Sequence, residues 1–244
     1  MSSSVERALR ALAGGSPILV YDADGREEET DLVIPSEFIT PIFVKSMRKE
    51  AGGLICSTLP FQVASKLGLP LLEEALARLE PHYPLFGDLV SGPLPYDTRS
   101  AFSISVNHRK AYTGITDRDR ALTISTLAGV CGEVMEATEE WARRLFTSEF
   151  RSPGHVPILI AENPLLEGRR GHTELATALT IMAGVLPTAT LCEMMGDQGG
   201  ALPRAEAKRY ARGRNLVFIE GQEVLEAWGK WSGSWQQESL ISSI

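Results

Sequence analysis

The chain has 244 residues, of which 43% are hydrophobic and 23% charged, as is typical of a globular protein that can bury one substantial core. Its formal net charge of −7 argues against nucleic acid and anionic membranes as partners, although a few local arginines could still bind an anionic small molecule. The three cysteines lack metal-type spacing, and neither a signal segment nor a window of membrane-spanning length is evident. We therefore expect a cytoplasmic protein with reduced thiols and no nucleic-acid or membrane partner.

Predicted helices and strands alternate along the whole chain. Helices are expected over residues 5–12, 41–51, 121–130, 135–150, 175–186, 202–212 and 222–231. Strands are expected over residues 18–21, 32–34, 54–59, 101–106, 156–160, 188–193 and 216–219. A turn is expected at 151–155, and the proline inside the strand at 156–160 suggests an edge position or an irregular start. This order favours an α/β fold with α+β character, in which helices surround a mixed sheet in a single domain, residues 1–244, that ends in a short tail.

A strongly charged stretch, residues 22–31, directly follows the first predicted strand and holds six carboxylates among its ten residues. Carboxylates at the exit of a buried strand lie where open α/β proteins place their sites, and they suit a hard divalent cation or proton transfer. The alternative is a solvated acidic loop. If the stretch is extended, alternation puts one set of side chains, Glu27, Glu29 and Asp31, opposite another, Arg26 and Glu28.

Residues 70–100 are broken by prolines and show no periodicity beyond a possible short helix near residues 72–79. We expect a long excursion over the surface. In a compact domain such a segment is often a lid or a contact with a partner subunit.

A second polar cluster, residues 169–174, precedes the strongly apolar helix predicted from residue 175. The free N–H groups and positive dipole of a helix start suit an anion, and Arg169 lies beside them in sequence. The pattern is compatible with a phosphate or carboxylate pocket in which His172 is a ligand or an acid/base group. It is equally compatible with a helix start that carries solvent-facing charge.

Three further side chains lie outside these two polar clusters. His155 follows Pro-Gly before a predicted strand, and it could be a site residue or a histidine satisfied by the backbone. Cys56, like Cys131 and Cys192, is by default a small core residue. Glu193 ends an otherwise apolar strand, so its carboxylate must reach solvent or be paired.

Six motifs follow one another along the chain, and together they carry a family resemblance. They are Arg26-Glu27-x-Glu29-x-Asp31, Gly52-Gly53-Leu54-Ile55-Cys56, Thr113-Gly114-Ile115-Thr116-Asp117, Arg151-x-Pro153-Gly154-His155, Arg169-x-Gly171-His172-Thr173-Glu174 and Cys192-Glu193-Met194. Each motif is weak alone, but in this order they resemble the 3,4-dihydroxy-2-butanone 4-phosphate synthases of riboflavin biosynthesis. The similarity spans about residues 5–225.

The resemblance implies a lyase that converts D-ribulose 5-phosphate to 3,4-dihydroxy-2-butanone 4-phosphate and formate, in a homodimer whose sites lie near the subunit interface. By motif, the metal ligands are Glu27 and His172. The substrate-binding positions are Arg26, Glu27, Asp31, Arg169, Thr173 and Glu193, with Arg169 at the phosphate. The catalytic positions are Glu29, Asp31, Cys56, His155 and Glu193.

These residue types agree with the implied chemistry. Removal of a proton from C1 gives an enediol, which needs a base and a Lewis acid on the oxygens, and the later dehydration, skeletal rearrangement and loss of C4 need further proton transfers. Glu29, Asp31 and Glu193 remain candidates for the first base. Two Mg²⁺ ions per site are implied, and the histidine ligand also makes Mn²⁺ plausible.

Glu28 departs from the family pattern, which has glycine or asparagine between the two glutamates. We expect its side chain to point outward and to have a modest effect. The length leaves no room for a fused GTP cyclohydrolase II domain, so we expect the stand-alone form. Two rival functions remain: another Mg²⁺-dependent sugar-phosphate isomerase or aldolase, and a non-catalytic sugar-phosphate-binding protein of the same fold.

Overall fold

The computed structural model describes residues 3–90 and 92–241. The strands are β1 Ile18–Tyr21, β2 Thr30–Pro35, β3 Cys56–Leu59, β4 Phe102–His108, β5 Phe150–Ile160, β6 Ala189–Glu193 and β7 Val217–Glu220. The α-helices are α1 Ser3–Ala13, α2 Pro41–Glu50, α3 Phe61–Leu67, α4 Leu72–Leu79, α5 Leu85–Leu89, α6 Asp117–Met135, α7 Glu139–Glu149, α8 Leu165–Gly168, α9 His172–Met182, α10 Arg204–Arg214 and α11 Gly221–Ile241. The tail predicted after residue 231 is thus helical as far as Ile241, and residues 242–244 lie outside the described residues.

Seven strands of the described chain form one mixed sheet in the order β4-β5-β3-β6-β2-β1-β7. The pairs β1–β7 and β3–β5 are parallel, whereas β1–β2, β2–β6, β3–β6 and β4–β5 are antiparallel. Every residue of β1 and β3 is buried, as expected for strands that read as short apolar runs. The predicted α/β fold with a mixed sheet is confirmed.

Two expectations about β5 need correction. The turn predicted at residues 151–155 is part of this strand, and β5 lies between β4 and β3 instead of at an edge. The predicted irregularity is confirmed, because the register with β4 shifts between Val106 and Asn107. A Cβ at Gly154 would lie 1.9 Å from the carbonyl carbon of Val106, so glycine allows the two backbones to approach at this point.

The helix predicted over residues 135–150 is also different, because the chain forms two helices there. α6 continues to Met135, and α7 begins at Glu139 with Thr138 as its N-cap. The Trp141 N–H donates to Thr138 Oγ1 at 3.4 Å. A threonine followed by two glutamates is a typical helix start, and this signal lay inside the predicted helix.

Helices pack on both faces of the sheet. On one face, α1, α9 and α11 bury residues such as Leu179 against Val20. On the other, α2, α6 and α10 bury residues such as Ile124 against Leu19. Val20 and Leu19 are neighbours in β1, so the strand alternates between the two cores. A third cluster joins α3, α6 and α7 to β4 and β5.

Helix α9 lies on the centre of the sheet, and every residue from His172 to Thr180 is buried. Hydroxyl groups add directional contacts to its apolar packing. Thr177 Oγ1 donates to Thr58 Oγ1 of β3 at 3.1 Å, and Thr58 Oγ1 in turn accepts from the Ala189 N–H of β6 at 2.9 Å. The helix is therefore hydrogen-bonded to β3 through a threonine that also accepts from the backbone of β6.

The excursion predicted at residues 70–100 contains α4 and α5, and both helices lack buried residues. From residue 92 to the start of β4 the described chain runs over the surface without regular structure. No helix in the described part of the chain is long and apolar enough to span a membrane.

We predict that Leu179→Ala lowers the free energy of unfolding by about 3 kcal/mol, because the truncation leaves a cavity under α9. Leu85→Ala is the matched control, since Leu85 is 63% exposed; it should change stability by less than about 1 kcal/mol. Urea unfolding followed by circular dichroism measures both values. Equal losses in the two variants would contradict the central position of α9.

Candidate active site

A cleft of about 250 Å³ opens where β2, β6 and the start of α9 meet. Four segments far apart in sequence supply its polar lining, namely Arg26, Glu27, Glu29, Asp31, Tyr96, Ser100, Arg169, His172, Thr173 and Glu193. Asp31 and Glu193 lie opposite each other in the antiparallel pair β2–β6. Both occupy positions that alternate onto the α9 face of the sheet, as do Val33 and Leu191.

The charged stretch after β1 is a turn and is not extended. The buried Asp22 carboxylate accepts hydrogen bonds from the Glu27 N–H at 2.9 Å and the Glu29 N–H at 3.1 Å. The chain therefore folds back around Asp22, and Arg26 lines the cleft beside Glu27 and Glu29. The predicted separation of Arg26 from the glutamates is wrong, because strand alternation does not apply to a turn.

Glu28 points away from the cleft, as predicted, and is exposed. Its φ of 57° lies in the left-handed region, where glycine and asparagine are favoured. Its carboxylate accepts from the Gly25 N–H at 2.8 Å, which keeps the side chain on the outside of the turn. Glu28 therefore places a side chain at a backbone position that favours glycine or asparagine. Because this side chain is outside the cleft, the charge that lines the cleft is unchanged.

The segment before α9 is held by one buried carboxylate, that of Glu174. It accepts hydrogen bonds from the Gly171 N–H at 3.2 Å, from the Glu162 N–H at 3.0 Å and from Arg169 Nη1 at 3.0 Å. The helix begins three residues before its predicted start, and its first turn, with His172 and Thr173, lines the cleft. The first N–H groups of a helix lack intrahelical partners, so this end favours an anion.

His172 lies between two acidic side chains. Its Nδ1 is 3.3 Å from Glu27 Oε2, and its Nε2 is 3.6 Å from Asp31 Oδ1. Burial disfavours the charged imidazole, but the Asp31 carboxylate and the hydrogen bond with Glu27 outweigh burial and raise the pKa of His172 to about 9. For Glu27, burial raises the pKa, but the hydrogen bond with His172 leaves it below its usual range.

The remaining carboxylates of the cleft hold protons more tightly than usual. Burial and the nearby Glu193 raise the pKa of Asp31 to about 8, against the opposing effect of His172. Burial likewise raises the pKa values of Glu29 and Glu193. Carboxylates whose pKa values are raised can both accept and return protons, as general acid–base chemistry requires.

The same cluster could hold a divalent cation. Asp22, Glu27 and His172 each offer a ligand atom, and these atoms lie within 4.8 Å of one another. His172 Nε2 and Asp31 Oδ1 are buried without a hydrogen-bond partner in the described chain. A buried donor or acceptor without a partner costs free energy, so a bound cation with its water ligands would stabilise the cluster by pairing these two atoms. Glu27 and His172 match the predicted ligands, whereas Asp22 was missed, although it is the first carboxylate after the strand.

Two of the predicted site residues do not line this cleft. Cys56 is buried in β3, and burial raises its thiol pKa well above the ordinary value, so it remains a neutral thiol beneath the site. His155 is exposed in β5, where its N–H donates to Asn107 Oδ1 at 2.9 Å. Cys56 thus lies close to Glu193 and Asp31 without lining the cleft, whereas His155 lies in another part of the sheet.

Two residues at the cleft were not predicted as site residues from the sequence. Asp97 and Tyr96 come from the surface excursion before β4. Asp97 contacts both Arg26 and Arg169, and the Tyr96 ring centroid lies 5.7 Å from the Arg26 guanidinium. A segment without periodicity gives no indication of which side chains turn inward, although its interpretation as a lid pointed to this region.

Comparison with known proteins gives consistent matches across the chain. The family model for 3,4-dihydroxy-2-butanone 4-phosphate synthase matches residues 6–227. The chain is 44% identical to the 3,4-dihydroxy-2-butanone 4-phosphate synthase of Methanothermobacter thermautotrophicus over 225 residues, which cover 92% of this chain and 95% of that protein. It is also 44% identical to the synthase of Methanosarcina acetivorans over 236 residues, or 96% and 94% of the two chains. A solved 3,4-dihydroxy-2-butanone 4-phosphate synthase in complex with two magnesium ions has a TM-score of 0.74 and 26% identity, covering 95% of this chain and 99% of the other.

We predict that Glu27→Gln weakens Mn²⁺ binding at least about tenfold, since it removes a charged ligand atom from the cluster. Glu28→Gln is the matched control: it removes the same charge one residue away, on the exposed side of the turn. Electron paramagnetic resonance titration of free Mn²⁺ measures both affinities. Equal binding by Glu27→Gln and wild type would exclude Glu27 as a ligand.

Proposed function

The chain belongs to the 3,4-dihydroxy-2-butanone 4-phosphate synthase family, the lyases of riboflavin biosynthesis, and we propose that it converts D-ribulose 5-phosphate to 3,4-dihydroxy-2-butanone 4-phosphate and formate. One observation carries this proposal. A helix start that suits a phosphate and a group of proton-exchanging carboxylates line the same cleft, about 250 Å³ in volume. A sugar phosphate needs both features at once.

The charges of the cleft favour one orientation of the substrate. The phosphate would lie at the start of α9, where Arg169 and Thr173 line the cleft. The carbon chain would then extend toward Asp31 and Glu193, which lie opposite each other on the sheet. The carbons that lose and gain protons would therefore be within reach of the carboxylates.

The reaction needs proton transfers but no external oxidant. The product and formic acid together contain all the atoms of ribulose 5-phosphate, so the water lost in dehydration must return when C4 leaves as formate. The methyl group of the product is C1, so the C1 hydroxyl must leave. A carboxylate therefore takes the C3 proton, instead of the C1 proton expected from the sequence, to give the 2,3-enediol, and a protonated neighbour assists departure of the C1 hydroxyl. Asp31, Glu29 and Glu193 have raised pKa values and can act in either direction, so each is a candidate for the first base.

We also propose that the cluster at Glu27 and His172 holds Mg²⁺, with Asp22 close enough to contribute. The two magnesium ions in the related solved structure support this assignment. A cation here would polarise the hydroxyl and carbonyl oxygens of the ketose and so acidify the proton on the carbon beside the carbonyl. The imidazole ligand is also compatible with Mn²⁺.

We propose further that the active form is a homodimer in which His155 completes the partner's site. Two observations support this arrangement. His155 is exposed and lies outside the cleft of its own chain. It belongs to a surface that also carries Tyr112, 92% exposed, and Ile115, 52% exposed, and such exposed apolar side chains are typical of subunit contacts. Arg151 connects this surface by donating to the carbonyl of Ala111 at 3.3 Å.

Carbon NMR with ribulose 5-phosphate labelled at C4 tests the reaction directly. We predict that the label appears in formate when Mg²⁺ is present and that a chelator suppresses it, because proton removal from the ketose needs the cation. A labelled pentose phosphate isomer would instead indicate the related isomerase chemistry. Binding of the sugar without any product would indicate a non-catalytic binding protein.

Mixed dimers test the proposed role of His155. We predict that His155→Ala and Glu193→Gln are each nearly inactive, whereas their co-expression recovers about one quarter of wild-type activity. If each site uses Glu193 from one chain and His155 from the other, half of the dimers are mixed and each mixed dimer holds one intact site. No recovery from two inactive variants would mean that both residues act within one chain, and a fully active His155→Ala variant would mean that His155 is not required.

A further inference from the structure

The Asp97 carboxylate lies between the two arginines of the cleft. A single oxygen, Oδ2, accepts from Arg26 Nη2 at 2.7 Å and from Arg169 Nε at 2.7 Å. The other oxygen accepts from the Thr98 N–H at 2.8 Å. Burial opposes the charge, but the Thr98 N–H and Arg169 leave the pKa of Asp97 below its usual range, so it is an anion at neutral pH. An anion is thus already seated where two guanidinium groups converge.

Both arginines lie beside the start of α9. A Cβ built on Gly171 would be 2.6 Å from Arg169 Nη1 and 2.7 Å from Arg26 Nη2, so the two guanidinium groups press against this glycine. The position held by Asp97 is therefore next to the helix end that suits a phosphate. Two arginines and a helix start are a typical arrangement for a phosphate dianion, and Asp97 contacts both arginines.

The local charge does not allow a phosphate to be added without another change. The two guanidinium groups already contact four carboxylates, which belong to Asp22, Glu27, Asp97 and Glu174. A dianion added to this group would meet an excess of negative charge in a partly buried place, where repulsion is poorly screened. One carboxylate must give way for the phosphate to bind.

Asp97 is the carboxylate that can move. Asp22 and Glu174 are fully buried and hold backbone N–H groups of the turn and the helix start, and Glu27 contacts His172. Asp97 comes from the irregular surface stretch before β4. Apart from the two arginines, the hydrogen bond described for its carboxylate is from the backbone N–H of its neighbour Thr98. Its displacement would leave every helix and strand in place.

We propose that Asp97 is a competing anion. In the free enzyme it occupies the position between Arg26 and Arg169 that binds the phosphate, the phosphate seat, and it thereby sets the affinity for phosphorylated substrates. The inference rests on the proposed function, because it assigns the seat between Arg26 and Arg169 to the phosphate of the sugar. The incoming dianion exchanges with the carboxylate, and the arginines are never left unpaired. A ligand with a weaker charge, such as an unphosphorylated ketose, cannot displace Asp97.

The alternative role for Asp97 is to position the arginines. Arg169 already has Glu174 on Nη1, and Arg26 already has Glu27 on Nη1, at 3.0 and 2.7 Å. Both side chains are therefore oriented without Asp97. A purely positioning role predicts weaker phosphate binding when the charge of Asp97 is removed, whereas competition predicts stronger binding, so the sign of the effect decides between them.

Isothermal titration calorimetry of the full chain with inorganic phosphate, in chelator, provides the test. We expect Asp97→Asn to bind inorganic phosphate at least about tenfold more tightly than wild type, since the asparagine keeps the shape and removes the competing charge. Glu162→Gln is the matched control: it removes a nearby carboxylate that pairs with Arg99 and touches neither arginine of the seat. It should change the affinity less than about twofold.

A second variant locates the bound phosphate. Arg169→Gln in the Asp97→Asn background should abolish the gain if the phosphate occupies the seat between the arginines. Equal or weaker binding by Asp97→Asn, an equal gain in Glu162→Gln, or a gain that survives Arg169→Gln would each overturn the proposal. Thermal melting confirms that every variant is folded.

The calorimetric result does not depend on turnover. A gain in phosphate affinity without labelled formate would support the competing anion and contradict the lyase assignment. Labelled formate without a gain would do the reverse. The two proposals therefore fail separately.

Discussion

The candidate site depends on the position of the buried N-terminus of α9. The Glu174 carboxylate, inside the first turn of α9, holds the N–H groups of Gly171 and Glu162 and the guanidinium of Arg169. These bonds fix the segment before the helix, the strand-to-helix connection behind it and the arginine beside it. Burial makes them strong and makes any loss costly. The direction in which the helix presents its positive end follows from this one group.

The site also places more acid in one cleft than its cations can balance. Four carboxylates line the cleft, together with two guanidinium groups and one imidazole. The protein accommodates the difference in two ways. Some carboxylates, above all that of Asp31, retain protons to higher pH, and others pair with arginines. The acidity needed for proton transfer and the positive charge needed for phosphate thus occupy adjacent ends of one small space.

Much of this could be predicted from the sequence, because local patterns carry it. Apolar runs gave most strands and the mixed sheet, and the motifs identified Glu27, Asp31, His172 and Glu193 before their proximity was known. The failures have physical causes. Alternation misplaced Arg26 because Asp22 turns the chain through backbone bonds that no periodicity reveals. Asp97 was missed because its inward direction is set by two arginines distant in sequence.

The hydroxyl contacts under α9 have a consequence for the precision of the site. Apolar packing resists separation of a helix from a sheet, but it tolerates small rolling movements about the helix axis. The hydrogen bond from Thr177 to Thr58 Oγ1, which also accepts from the Ala189 N–H, is directional and opposes such rolling. One residue of an α-helix corresponds to about 100° of rotation. Rolling of the helix would move the imidazole of His172 relative to Glu27, and the threonines limit that rotation.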